Sequence, residues 1–130
     1  MIRMETIKIS SNSVWEDLVG YSRAIRVGNL IEVAGTTAMD GNEVFGKGDI
    51  YRQTIFVFEK IDKILQQAGA SLTSVIRTRM YVTDISLWEQ VGKAHAHFFK
   101  TIKPVATMVE VNRLIHDDLL IEIEVTAMLS

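Results

Sequence analysis

The chain has 130 residues, 48% of them apolar, with 14 Lys and Arg against 16 Asp and Glu for a formal charge of −2, and no cysteine. That length and composition suit one core-bearing domain, 1–130, and exclude a disordered chain. The charge balance excludes nucleic acid as the main partner, and the missing cysteine excludes a disulfide framework, a thiolate metal site and a cysteine nucleophile, in keeping with a reducing cytoplasm.

No apolar run approaches the ~20 residues of a membrane span, and Met1 to Asn12 lacks the apolar core of a signal peptide. Residues 4–10 read as a first strand, Ile7 and Ile9 alternating with Lys8 and Ser10. Ser13 to Gly20 reads as a helical turn. Tyr21–Val27 and Leu30–Gly35 alternate as strands around a two-residue hairpin signal, Gly28-Asn29. Gly35 to Gly48 is a turn-rich loop with a short strand at Val44-Phe45. Asp49 is placed to cap a long helix in which Tyr51, Thr54, Ile55, Phe58, Ile61, Leu65 and Ala68 recur at the 3.6-residue period, with Gly69 as its C-cap.

Val75–Val82 is a further strand. Ser86-Leu87-Trp88-Glu89 matches a capping box and predicts a second helix with Trp88, Val91, Ala94 or His95, Phe98 and Phe99 on its core stripe. Pro104 stops that helix. Val105–Val111 and Leu119–Met128 complete the strands. The order predicts an α+β fold: one mixed sheet with two helices on one face.

In the last strand Leu119, Ile121, Ile123, Val125 and Ala127 form a wholly apolar face. Leu120, Glu122, Glu124, Thr126 and Met128 form a mixed one. The alternation of the preceding strand sets Val105, Thr107, Val109 and Val111 against Ala106, Met108 and Glu110. Assigning Ala106, Met108, Leu120 and Met128 to the mixed face predicts that this face is covered by another subunit. The alternative is a solvated face with stray apolar residues.

Catalytic motifs are sparse. Gly46-Lys47-Gly48 is too short for a phosphate loop, and no Gly-x-Ser-x-Gly elbow occurs. His95 and His97 point to different helix faces, and with His116 they give no metal-ligand spacing, so no metal is expected. Glu122 and Glu124, ~7 Å apart on one strand face, resemble an acid/base pair in kind, although such pairs are more often structural. Arg23, Arg77 and Arg79 in strands serve either a salt bridge or an anion.

The run Pro104-Val105-Ala106-Thr107-Met108-Val109-Glu110-Val111-Asn112-Arg113-Leu114, with Leu120-Ile121-Glu122-Ile123-Glu124-Val125, resembles the signature of the Rid (YjgF) family of reactive intermediate deaminases. Val27-Gly28-Asn29-Leu30-Ile31 through Ala34-Gly35, Ala68-Gly69-Ala70 and Tyr81-Val82-Thr83-Asp84 carry the same resemblance, which covers nearly the whole chain. It implies a chorismate-mutase-like fold, a homotrimer with clefts between subunits, and cofactor-free hydrolysis of 2-imino and 2-enamino acids. In that family an arginine clamps the substrate carboxylate, a glutamate orients water and a tyrosine lines the pocket.

Carried over by position, the resemblance assigns the glutamate to Glu122 and the tyrosine to Tyr21. The clamp arginine falls on Ala106, a nearby cysteine on Met108, a cleft serine on Ala34 and a helix asparagine on Gly92. The chain thus looks like an arginine-lacking subgroup. Three functions stay open: metabolite binding or processing in the cleft other than standard deamination, deamination with a replacement arginine, and a non-enzymatic or chaperone-like module. Arg23, two residues from Tyr21, is the first candidate replacement, meeting either a ligand carboxylate or Glu122. Arg79 is the reserve.

Overall fold

A computed structural model describes residues 4–130; Met1 to Arg3 of the N-terminal stretch lie outside the described residues. In chain order the elements are β1 (Thr6–Ile9), α1 (Val14–Val19), β2 (Ala24–Val27), β3 (Leu30–Thr37), β4 (Met39–Asp40), β5 (Glu43–Val44), α2 (Ile50–Gln67), β6 (Val75–Val82), α3 (Trp88–Phe99), β7 (Val105–Glu110) and β8 (Ile121–Met128). Six strands form one sheet in the order β1-β2-β3-β8-β6-β7, while β4 and β5 pair as a small hairpin. Only β6 and β7 run parallel, with α3 as the crossover; the other neighbours are antiparallel. The fold is the expected mixed α+β sheet, with three helices where two long ones and a turn were read.

Helix α2 forms because Ile50, Thr54, Val57, Phe58, Ile61, Ile64 and Leu65 place one buried stripe along it. Asp49 caps its start, accepting from Arg52 N at 3.1 Å. At its end Gly69 takes φ +85°, and Arg26 Nη1 donates to Ala68 O at 2.8 Å, setting a cation on the helix C-terminus. In α3 Val91, Ala94 and Phe99 are buried, and Phe99 meets Phe58 of α2 edge-to-face at 5.1 Å. Both helices cover the sheet face made by Ile31, Val33, Thr78, Met80, Val82, Ile121, Ile123 and Val125, all buried. The apolar face read for the last strand is therefore the core face.

Two details of the second helix differ from expectation. Asp84, not Ser86, supplies the cap, accepting from Ser86 N at 3.0 Å at the start of a single 3-10 turn, and α3 begins only after it with no side-chain cap of its own. Trp88 is thus the first residue of α3 and is 56% exposed instead of joining the core, while Val91, Ala94 and Phe99 of the expected stripe are buried.

The placement of Ala106 and Met108 is corrected as well. The register pairs Thr78 with Ala106 and Met80 with Met108, so both residues lie on the helix-covered side of the sheet, and Met108 packs against the core. The open face instead carries Val105, Thr107 and Val109 of β7 beside Arg77, Arg79 and Tyr81 of β6 and Glu122, Glu124 and Thr126 of β8. Alternation within β7 was read correctly; its phase relative to β8 was not, because only pairing with β6 sets it.

Candidate functional site

The geometry of the site starts from an irregularity in β3. Its pairing with β8 is regular to Val33 and resumes at Thr36, leaving Ala34 and Gly35 in a bulge. Thr37 then pairs with Glu122. The bulge brings Gly35 beneath the Glu122 side chain. A Cβ built on Gly35 would stand 3.0 Å from Glu122 Cδ and 3.3 Å from Cγ, so only glycine leaves that seat open. The Gly35 carbonyl accepts from Arg23 Nη2 at 2.7 Å.

Arg23 lies against Tyr21, its guanidinium carbon 5.6 Å from the ring centroid. Tyr21 and Arg23 both precede β2 and lie outside any strand, so the strand alternation expected to set them on one face does not apply; they meet through this ring contact. The alternative of an ion pair with Glu122 is not formed: among the described residues no carboxylate stands within 4 Å of Arg23. Arg23 Nε is sealed from solvent and has no hydrogen-bond partner among the described residues. On Glu122 the guanidinium acts only through its charge. Burial raises the Glu122 carboxyl above its ordinary value, the Arg23 charge opposes this, and neighbouring Glu124 adds to it.

Lys60 of α2 closes the same end of the sheet. Its Nζ donates to Thr37 O and to Met39 O, both at 2.9 Å. Burial and the Arg23 charge lower its pKa, against the pull of Asp40. Lys60, Asp40, Phe56 and Lys63 line a groove of about 370 Å³ between α2 and the β4–β5 hairpin. Lys60 is a residue that reading the sequence missed. Its sequence neighbourhood is an ordinary helix face, and its two acceptors lie 21 and 23 residues away.

Arg79 is engaged by a neighbour. Its Nε lies 3.9 Å from Glu124 Oε1, and Tyr81 donates its hydroxyl to that same oxygen at 2.7 Å. Of the two carboxylates, Glu124 is tied into a half-buried structural network, and Glu122 has no partner of its own among the described residues. Ala106 and Met108 lie across the sheet from Glu122, Tyr21 and Arg23. One chain therefore cannot set all five predicted site residues around a single pocket. Among the described residues no three His, Asp or Glu side chains converge as metal ligands would, and no helix is long and apolar enough to cross a membrane.

The raised Glu122 pKa has a consequence for stability. A carboxyl whose folded pKa lies above its unfolded value contributes stability that is full below the ordinary 4.5 and is lost as pH rises through the folded value. Glu122→Gln is therefore expected to raise the melting temperature at pH 7, with the gain fading as the pH falls through the folded value and gone below 4.5. Melting curves across pH 3.5–7.5 check it; an unchanged or lower melting temperature at pH 7 would contradict the seat described above.

Residues 13–129 match the family described as Endoribonuclease L-PSP. A crystal structure from Mycobacterium tuberculosis, of a member of the YjgF/YER057c/UK114 family, superposes with a TM-score of 0.88 at 48% identity, covering 96% of this chain and all of that one. A RutC family protein of Pyrococcus abyssi is 42% identical over 109 residues, 82% of this chain and 84% of its own. A 3-aminoacrylate deaminase, RutC of Acinetobacter baylyi, is 33% identical over 107 residues, 82% of this chain and 84% of its own.

Proposed function

Since the chain belongs to the YjgF/RutC/Rid family, we propose that it binds and processes a small carboxylate-bearing metabolite in a cleft completed by another copy of itself, as a homotrimer, and that it is not a standard 2-imino acid deaminase. The observation that carries this reading is Arg23. A half-buried guanidinium with a sealed, unpartnered Nε and no carboxylate within 4 Å stands beside the unpaired Glu122. No carboxylate among the described residues neutralises this guanidinium, and its part that is open to solvent can hold a ligand oxyanion by a charge-assisted hydrogen bond. Glu122, held with a raised pKa by burial, is suited to orient or deprotonate a water against such a ligand.

The loss of the family's bidentate clamp at Ala106 argues against the standard reaction. That wall of the cleft offers a methyl group in place of a charged fork, and a substrate held from one side only loses the orientation on which rate depends. The need for another copy is supported by the two faces: Ala106 and Met108 reach a pocket with Glu122 only across a subunit boundary. The relative named for 3-aminoacrylate makes short enamine acids the first substrates to try.

The test has two arms. Hydrolysis of 2-iminopropionate and of 3-aminoacrylate, each generated in place by a coupled enzyme, is measured with and without the protein. Binding of pyruvate, the 2-oxo acid product of the first, is followed by NMR. We expect no acceleration of 2-iminopropionate hydrolysis comparable to an arginine-bearing relative. Pyruvate binding should be lost in Arg23→Ala while sedimentation still gives a trimer. Full deaminase activity on 2-iminopropionate, a stable monomer at micromolar concentration, or unchanged pyruvate binding in the variant would each overturn the reading.

A further inference from the structure

Across the sheet from Glu122, α3 and β7 build a second small site that the Arg23–Glu122 reading leaves unused. Thr78 of β6 is fully buried, and its hydroxyl lies 2.9 Å from His95 Nε2. The imidazole is half-buried, packed on Phe99 at 4.7 Å between ring centroids and edge-to-face on Phe58 at 5.6 Å. Its other nitrogen, Nδ1, has no hydrogen-bond partner among the described residues. Nor is it sealed, since Arg23 Nε is the one buried side-chain nitrogen or oxygen found there without a partner.

The ring is flanked by space. Gly92, three residues earlier on the same face of α3, has nothing within 4 Å of where its Cβ would be. Ala106 is the register partner of Thr78 on the adjoining strand and points to the same side. The Thr78 hydroxyl proton has no other acceptor among the described residues, so it is assigned to Nε2. The tautomer then carries its proton on Nδ1, outward. Burial lowers the His95 pKa, which keeps the ring neutral at pH 7.

From this juxtaposition we infer that His95, oriented by Thr78, is a ligand-binding residue whose Nδ1–H donates to a carbonyl or carboxylate oxygen of the metabolite beside Ala106, on the wall that one copy presents to the Arg23–Glu122 wall of the next. The inference deepens the reading proposed above and rests on it. A single neutral donor replaces a charged fork, so the ligand is held tightly by Arg23 and steered by His95. Thr78 is a positioning residue: it touches no ligand and fixes the tautomer and the ring plane.

The experiment uses pyruvate and the assembled protein labelled with 15N at histidine. In the wild type, pyruvate is expected to shift the His95 Nδ1 resonance. His95→Ala should weaken binding about 3–10-fold, as the loss of one hydrogen bond does. Thr78→Val should leave the fold and the pyruvate-free assembly intact while weakening binding similarly. His95→Gln, which keeps a side-chain N–H donor, should recover part of the affinity and guards against a His95→Ala protein that fails to fold. Reassembly from a mixture of Arg23→Ala and His95→Ala chains should restore full affinity to about one site in four, because only junctions joining the two unaltered walls are complete.

Pyruvate binding that depends on Arg23 but is indifferent to His95 and Thr78, with no Nδ1 shift, overturns this inference and leaves the proposed function standing. Mixtures that restore no site place both walls in one copy and overturn the inference too. Absence of pyruvate binding to the wild type, or binding indifferent to Arg23, overturns both.

Discussion

Gln53→Ala is expected to destabilise the protein by about 3 kcal/mol, a fall in melting temperature of ~10 °C, although Gln53 touches no candidate ligand. Its amide is fully buried on α2 and makes three bonds to the backbone of distant loops. Nε2 donates to Asp118 O at 2.9 Å and to Gly46 O at 3.3 Å, and Oε1 accepts from Leu120 N at 2.9 Å. Truncation leaves Asp118 O and Leu120 N without a partner, each at a cost of about 1–3 kcal/mol, and removes one of two donors to Gly46 O, which keeps Asp49 N. Gln53→Leu refills the volume without restoring the bonds and should be nearly as damaging. Chemical denaturation of the two variants checks this, and a loss below about 1 kcal/mol in both would contradict it. The effect reaches the site, because Asp118 and Leu120 lead directly into the strand that carries Glu122.

Gly35→Ala is expected to do the opposite: little harm to the fold and large harm to the site. Gly35 keeps a backbone conformation open to other residues, and what its new Cβ meets is the flexible end of Glu122. The carboxylate can swing away, so the stability change should stay within about 1 kcal/mol. Displaced into water, Glu122 loses the burial that raises its pKa, and its carboxyl should titrate near the ordinary 4.5. Side-chain carboxyl NMR of the wild type and the variant reads this directly. If Glu122 orients the attacking water as proposed, turnover should fall about 10²-fold, and Gly35→Ala combined with Glu122→Gln should be no worse than Glu122→Gln alone. An unchanged Glu122 titration in Gly35→Ala would show that the glycine does not make the seat.

These two residues mark what was legible in the sequence. The glycine appeared as part of a family-like pattern and the glutamate as a carboxylate on a mixed strand face, but their contact depends on a bulge that no local pattern announces. Tyr21 and Arg23 were read as neighbours on one strand face; both precede the strand and meet by a ring contact instead. The partner offered to Arg23 was a ligand or Glu122, and the bond it makes is to the Gly35 carbonyl. His95 stood among the possible core positions of its helix, with no sign that one nitrogen would be held by Thr78 and the other left open.

The sequence by itself determined the quantities that repeat along the chain. The 3.6-residue stripe of α2, the alternation that buries Ile121, Ile123 and Val125, the Gly28-Asn29 hairpin and the order of helices and strands are local consequences of side-chain spacing. Tertiary structure decided the quantities that compare one element with another. A two-residue period defines two faces of β7 but not which of them meets the helices; the parallel register with β6 turned Ala106 and Met108 to the covered side. A 3-10 turn likewise delayed the start of α3 to Trp88, which lies outside the core. Gln53 bonds Leu120 across 67 residues, Lys60 bonds Thr37 across 23, and Arg23 bonds Gly35 across 12. Such partners are chosen by where a backbone group is left unpaired in three dimensions, and nothing in the spacing of side chains along a strand or helix encodes that.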